Sequence, residues 1–146
     1  MKLFTKTQFK LGMDCPTKLY YSEKDEYVDI SSTDPFLEAL ANGGYQVGEL
    51  AKCEYPQGVE VETHDIYKAY KQTQELLTRD TVEIFEAALV HGSLAARVDI
   101  LMKRERVITL LEVKSKSYDD GTTSFMTQKG GALTSKWAPY LYDIGF

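Results

Sequence analysis

Two acids and a lysine in one stretch define the chemistry to expect of this chain. Residues 97–117 read RVDILMKRERVITLLEVKSKS and hold Asp99, then Glu112 and Lys114. Asp99 interrupts an apolar run from Ala95 to Met102, and Glu112 and Lys114 end a second run that starts at Val107. The second run is rich in β-branched residues, so both read as strands, joined by the polar turn Lys103-Arg104-Glu105-Arg106. Side chains alternate along a strand, which places Glu112 and Lys114 on one face and Val113 on the other. A carboxylate in an apolar strand is costly unless it is paired or binds a metal. Two such acids brought together by a hairpin repel each other, and a divalent cation relieves that repulsion. Mg²⁺ takes oxygen ligands and keeps several waters, so Asp99, Glu112 and the main-chain carbonyl of Val113 would suffice to hold it; Mn²⁺ accepts the same donors. Lys114 would then lie beside the attacking water and the scissile phosphate of a phosphodiester. The same residues admit a plainer reading, a solvent-facing Asp99 and an ordinary Glu112–Lys114 pair. The pattern itself is short, and the hairpin setting and apolar flanks are what favour the chemical reading.

The chain around this stretch is of a size to position it. Its 146 residues suit one domain, and 43% hydrophobic with 27% charged residues is the balance of a folding chain. A net charge of −5 argues against non-specific coating of nucleic acid, but active-site acids contribute to it and a basic groove can be local. The ten tyrosines pack with an apolar body and a polar tip, and also suit stacking on bases. Cys15 and Cys53 make neither a disulfide framework nor a zinc pattern. No signal peptide or membrane span is visible, so a cytoplasmic protein with no membrane partner is expected.

Upstream, Thr5 or Thr7 caps a short helix through Met13, ended by Pro16. Residues 22–33 read as an acidic loop. Asp34 caps a second helix with Pro35 in its first turn, running to about Cys53, and Gly43-Gly44 predicts a kink or a break. Tyr55 to Gly58 is a turn, Val59-Glu60-Val61 a short extended piece, and Thr63 or His64 opens a helix over roughly residues 65–78. His64 and His91, the only histidines, lie on different elements and offer little for a histidine base or a zinc site. Residues 81–90 form the strand before the one bearing Asp99. After Lys114 the chain turns Ser-, Thr-, Gly- and Lys-rich, a loop in which Lys116 and Lys129 are candidate phosphate contacts or simply solvated lysines. Residues 133–146 are aromatic and apolar up to the last residue. We therefore expect a nuclease-like domain over 1–146, truncated at its C-terminal end.

The D-x12-E-x-K pattern resembles the PD-(D/E)xK nuclease superfamily. The Cys-Pro start in KTQFKLGMDCPTKLYY, GGYQVGELA, IFEAAL, ARVDIL and LLEVKSKS together resemble the N-terminal nuclease region of bacterial proteins in its RecB-like and CRISPR-exonuclease branch. The resemblance implies an α/β fold of the restriction-endonuclease type, a mixed central sheet with residues 81–114 at its centre and helices on both sides. It implies Mg²⁺ held by Asp99 and Glu112, with Lys114 orienting or activating the water. It makes Glu49 a candidate for the helix residue that points at the metal, and Glu86 an accessory acid on the strand before Asp99. Cluster-bearing relatives use four cysteines, so two allow no iron–sulfur cluster within this chain. Relatives also carry Gln-x-x-x-Tyr after the lysine strand; Gln128 stands there with no tyrosine at that spacing. The expected function is metal-dependent hydrolysis of phosphodiester bonds in nucleic acid, DNA foremost. The alternatives are an inactive nucleic-acid-binding or assembly module on the same fold, and a structural domain with no specific metal binding.

Overall fold

The computed structural model describes residues 3–27, 33–116, 126, 131 and 133–146. Its centre is the long hairpin of β3 (Thr81–His91) and β4 (Leu94–Arg104), antiparallel from Thr81↔Arg104 to His91↔Leu94. Gly92, at φ 58, makes the tight return between them. Buried Ile84, Ile100 and Leu101 come from this hairpin. β2 (Val59–Glu60) runs parallel to β3 along its outer edge. Helix α4 (Ile66–Leu76) packs on β3 through Ala69, Thr73 and Leu76, all buried. Thr73 ties the two layers together: its hydroxyl donates to the Ala69 carbonyl at 2.9 Å and accepts from the Ala88 N–H at 3.0 Å. That bond satisfies a buried donor whose loss costs about 1–3 kcal/mol.

The other edge of β4 is shared by two short strands. β1 (Phe4–Thr5) pairs with it in parallel at Leu94 and Ala95, and β5 (Val107–Leu111) in antiparallel from Ile100 to Arg104. Both run toward the gap left between them, opposite residues 96–99. The chain leaving β1 enters helix α1 (Lys6–Asp14), fixed by a capping box between Thr5 and Gln8. The sheet is thus five-stranded and mixed, flanked by helices. β5 lies at its edge among the described residues rather than at its centre, and Val107, Ile108 and Leu110 are exposed.

Several boundaries differ from expectation for local reasons. Pro16 opens a second helix, α2 (Pro16–Tyr21), rather than only ending the first; it stands at the first position, where its missing N–H costs nothing. Extended Cys15 (φ −158) separates the two. α3 (Pro35–Lys52), capped by Asp34, continues through Gly43-Gly44 without a break. A Cβ on Gly44 would meet Ser115 Oγ at 3.8 Å, an ordinary contact, so no close approach to the sheet demands glycine there. α4 is capped by Asp65, which accepts from the Tyr67 and Lys68 N–H groups, rather than by Thr63 or His64. α5 (Ala138–Gly145) follows a 3₁₀ turn at Ser135–Trp137 and brings Tyr142 and Phe146 against Phe9 of α1. Among the described residues, no helix is long and apolar enough to cross a membrane.

Candidate functional site

The register places three acids in one row. Phe85↔Ile100 and Ala87↔Val98 flank Glu86 and set it across from Asp99, and Ile100↔Leu111 sets Glu112 across from Asp99 on the other side. Glu86, Asp99 and Glu112 therefore stand side by side on three neighbouring segments. The row is irregular at both ends. Glu86 has φ 55, a left-handed conformation that costs a non-glycine residue about 1–2 kcal/mol. β5 stops at Leu111 instead of continuing to Lys114, because the Val113 N–H donates to Asp99 Oδ2 at 2.6 Å and not to a strand carbonyl.

This irregular row separates two pockets. The first, a cavity of about 440 Å³, lies between α3 and the sheet. It collects five acids, Glu49, Glu60, Glu62, Glu86 and Asp99, and Val113 reaches it too. Its fixed cations are Lys52 and Arg97. Lys52 Nζ bridges Glu49 and Glu60 at 2.7 Å each. Burial opposes that ammonium's charge, but the hydrogen bonds to the two carboxylates outweigh it and raise its pKa. Arg97 is spent on main-chain carbonyls: Val61 at 3.4 Å, Glu86 at 3.3 Å, and Thr63. It holds the segment after β2 against the sheet. Half-buried Glu86 has its pKa raised, first by burial and then by the Asp99 charge.

The second pocket, about 630 Å³, lies between α1, α5 and the segment after β5. Glu112 turns into it. Lys6 Nζ donates to both its carboxylate oxygens, at 2.9 and 3.0 Å, and Lys114 Nζ to Oε1 at 2.7 Å. Lys114 also pairs with Asp143 at 3.0 Å, and Lys10 holds the same carboxylate at 3.0–3.1 Å. The Asp143 side chain is only 1% exposed. Burial pushes its pKa up, but the bonds from Lys10 and Lys114 outweigh burial and hold it below the usual carboxylate value. Burial works against the Lys114 charge as well, and its bonds to Glu112 and Asp143 raise its pKa. Three ammoniums and two carboxylates form one network, a polar cluster drawn from both ends of the described chain.

Glu112 and Lys114 share a side and Val113 takes the other, as alternation predicts. Asp99, Glu86 and Glu49 meet in the first pocket, whereas the Glu112 carboxylate lies in the second. Among the described residues, no three His, Cys, Asp or Glu side chains are already gathered as a metal cage. Lys116 is half-buried, with its ammonium 4.1 Å from the Trp137 ring centre and 4.5 Å from that of Tyr140. Lys129 and Gln128 lie outside the described residues. Cys15 and Cys53 are free thiols on separate helix ends.

Sequence reasoning passed over Lys6, Lys10, Lys52, Arg97 and Asp143. Three of these had legible signals. Lys6 and Lys10 are spaced i, i+4 and so share a helix face. Asp143 is a lone acid in the apolar segment LYDIGF, the argument that singled out Asp99. No protein-family model, no curated protein and no solved structure matches the chain.

Proposed function

We propose that this chain is a divalent-cation-dependent phosphodiesterase domain of the PD-(D/E)xK type that hydrolyses nucleic acid, with DNA as the expected substrate. The observation that carries the reading is the single row of Glu86, Asp99 and Glu112, with Lys114 bonded to Glu112 beside it. The donor set fits a hard cation. On the Asp99 side every donor is oxygen, and the cavity holds five carboxylates against two fixed cations already engaged with protein groups. Asp99 and Val113 line that cavity and would hold Mg²⁺ or Mn²⁺ there, whereas Glu112, bonded to Lys6 and Lys114 in the second pocket, would join them only by giving up those lysines. When bound, the cation supplies Lewis acidity and neutralises charge on the phosphate.

The chain's own residues supply the rest. Lys114, a cation fixed by Glu112 and Asp143, is available to orient a water and to stabilise charge developing on the phosphate. Glu86, with its raised pKa, is suited to accept a proton near Asp99. Glu49 reaches the same cavity from α3 but is tied to Lys52, which fits a role in shaping the site more than in binding the cation directly. Lys116 presents a cation on an aromatic shelf of Trp137 and Tyr140, a surface suited to a phosphate beside a stacked base.

A second reading has its own support. Glu112 and Lys114 are both neutralised within the protein, which suits a module that keeps the fold and binds nucleic acid or a partner without turnover. The test is cleavage of end-labelled single- and double-stranded DNA with and without Mg²⁺, comparing wild type with Lys114→Ala. Mg²⁺-dependent cleavage lost in the variant supports the enzyme. Cleavage that survives in the variant contradicts it, and Mg²⁺-independent binding without cleavage favours the module.

A further inference from the structure

The two edges of the sheet are built differently. β2, on one side, is two residues long, and its Glu60 is bonded to Lys52. β5, on the other, is Val107-Ile108-Thr109-Leu110-Leu111, with no charge and no proline. It pairs one to one with β4, so no bulge turns it aside. Val107, Ile108 and Leu110 are 65%, 54% and 50% exposed, and Thr109 is exposed among them. One hydrogen bond fixes which way the main chain of this edge points. The Glu105 N–H donates to the Asp80 carbonyl at 2.6 Å, one step past the Thr81↔Arg104 pair. Main-chain groups alternate in direction along a strand, so Arg104, Met102 and Ile100 turn theirs toward β5. Their partners Val107, Thr109 and Leu111 bond back to β4, and the N–H and C=O groups of Ile108 and Leu110 point outward. Among the described residues no strand meets them.

We propose that β5 pairs antiparallel with β5 of a second copy of this chain, across a two-fold axis at Thr109, joining the two sheets into one. The strand is complementary to itself in that register. Ile108 falls opposite Leu110 of the second copy and Val107 opposite Leu111, so apolar residues meet on both faces. Ile108 and Leu110 are also the residues with outward main-chain groups, and each such pair exchanges two hydrogen bonds. The neighbouring two-fold registers are worse. Centring on Ile108 sets Arg106 opposite Leu110 and Glu105 opposite Leu111, and centring on Leu110 sets Ile108 opposite the charged Glu112. Only the Thr109 register pairs all five strand residues with one another. It also uses the same edge of both copies, so the assembly closes as a dimer instead of growing. Along the next step of that register Arg106 lies opposite Glu112 of the second copy, which brings unlike charges to the ends of the interface.

The test is sedimentation equilibrium of wild type, Thr109→Lys, Thr109→Glu and an equimolar mixture of the two variants, each shown to be folded by urea unfolding. On the axis Thr109 faces its own copy in a non-hydrogen-bonded pair, where Cα atoms approach to about 4.5 Å. Like charges there repel, so each variant alone is expected to be monomeric, while wild type and the mixture run at twice the chain mass. Amide hydrogen exchange reads the same interface without a substitution. On dilution of wild type, exchange at Ile108 and Leu110 is expected to speed up by about tenfold or more, while Val107, Thr109 and Leu111, bonded to β4, change little. A monomeric wild type overturns the proposal. So does a dimer that persists in both variants, a mixture of folded variants that stays monomeric, or a wild-type dimer in which the Ile108 and Leu110 amides exchange freely.

Discussion

The two pockets beside the Asp99–Glu112 row solve the same electrostatic problem in opposite ways. Around Glu112 and Asp143 the protein supplies its own cations, Lys6, Lys10 and Lys114, and the acids are quenched by ion pairs of 2.7–3.1 Å. Around Asp99 it gathers five carboxylates, pairs two of them, Glu49 and Glu60, with Lys52, and commits Arg97 to main-chain carbonyls. An acid quenched by lysines contributes to holding the fold together. An acid set among other acids is a place where an external cation gains the most. The D…ExK pattern straddles these regimes: its first acid faces the acidic pocket, and its second acid and lysine face the basic network.

The comparison can be broken most directly by exchanging what each acid loses. Asp99→Ala is expected to lower Mg²⁺-dependent cleavage more than about 100-fold while barely moving the urea midpoint, since a cation ligand is removed but only one hydrogen bond, from Val113. Asp143→Ala should do the reverse in kind. Removing a side chain 1% exposed with two lysine partners, themselves 34–41% exposed, is expected to cost about 1–3 kcal/mol in urea unfolding. Equal destabilisation by the two substitutions would erase the distinction between the pockets.

Acid sharpens the same contrast. The folded pKa of Asp143 lies below its ordinary value of 3.8, so its ion pairs contribute stability that is fully present above about pH 4 and is lost as pH falls through the lowered value. Urea midpoints measured from pH 7 to pH 2 should show the gap between wild type and Asp143→Asn narrowing below about pH 4. A gap that stays constant to pH 2 would remove Asp143 from the account of acid stability. The smallest expected effect is at Glu86. Glycine tolerates φ 55 and carries no half-buried charge, so Glu86→Gly should raise the urea midpoint, by about 0.5–1 kcal/mol in stability, at the expense of cleavage. Lower stability in that variant would mean that Glu86 makes contacts outweighing its backbone strain.

Much of the frame was legible because its signals are local. Thr5, Asp34 and Pro35 mark their helix starts, and the apolar, β-branched runs within residues 81–111 mark the strands. Asp99, Glu112 and Lys114 announced themselves as charges beside apolar runs. What escaped was set by distance along the chain. Lys6 is 106 residues from Glu112, and Lys10 is 133 from Asp143, so no window of sequence contains either pair. The early end of β5 escaped for a related reason: a side chain, the Asp99 carboxylate, takes the Val113 N–H that a longer ladder would have used. Helix α3 runs unbroken through two glycines because its backbone bonds are internal, and propensity is only a weak prior against that.

The central claim is that the Asp99 side of the row is a cation site. The most direct measurement is Mn²⁺ titration by calorimetry into wild type and Asp99→Ala, both shown to be folded by urea unfolding. Saturable binding by wild type that disappears in Asp99→Ala is the predicted result. Binding of equal strength in both proteins, or none in the folded wild type, would contradict the account.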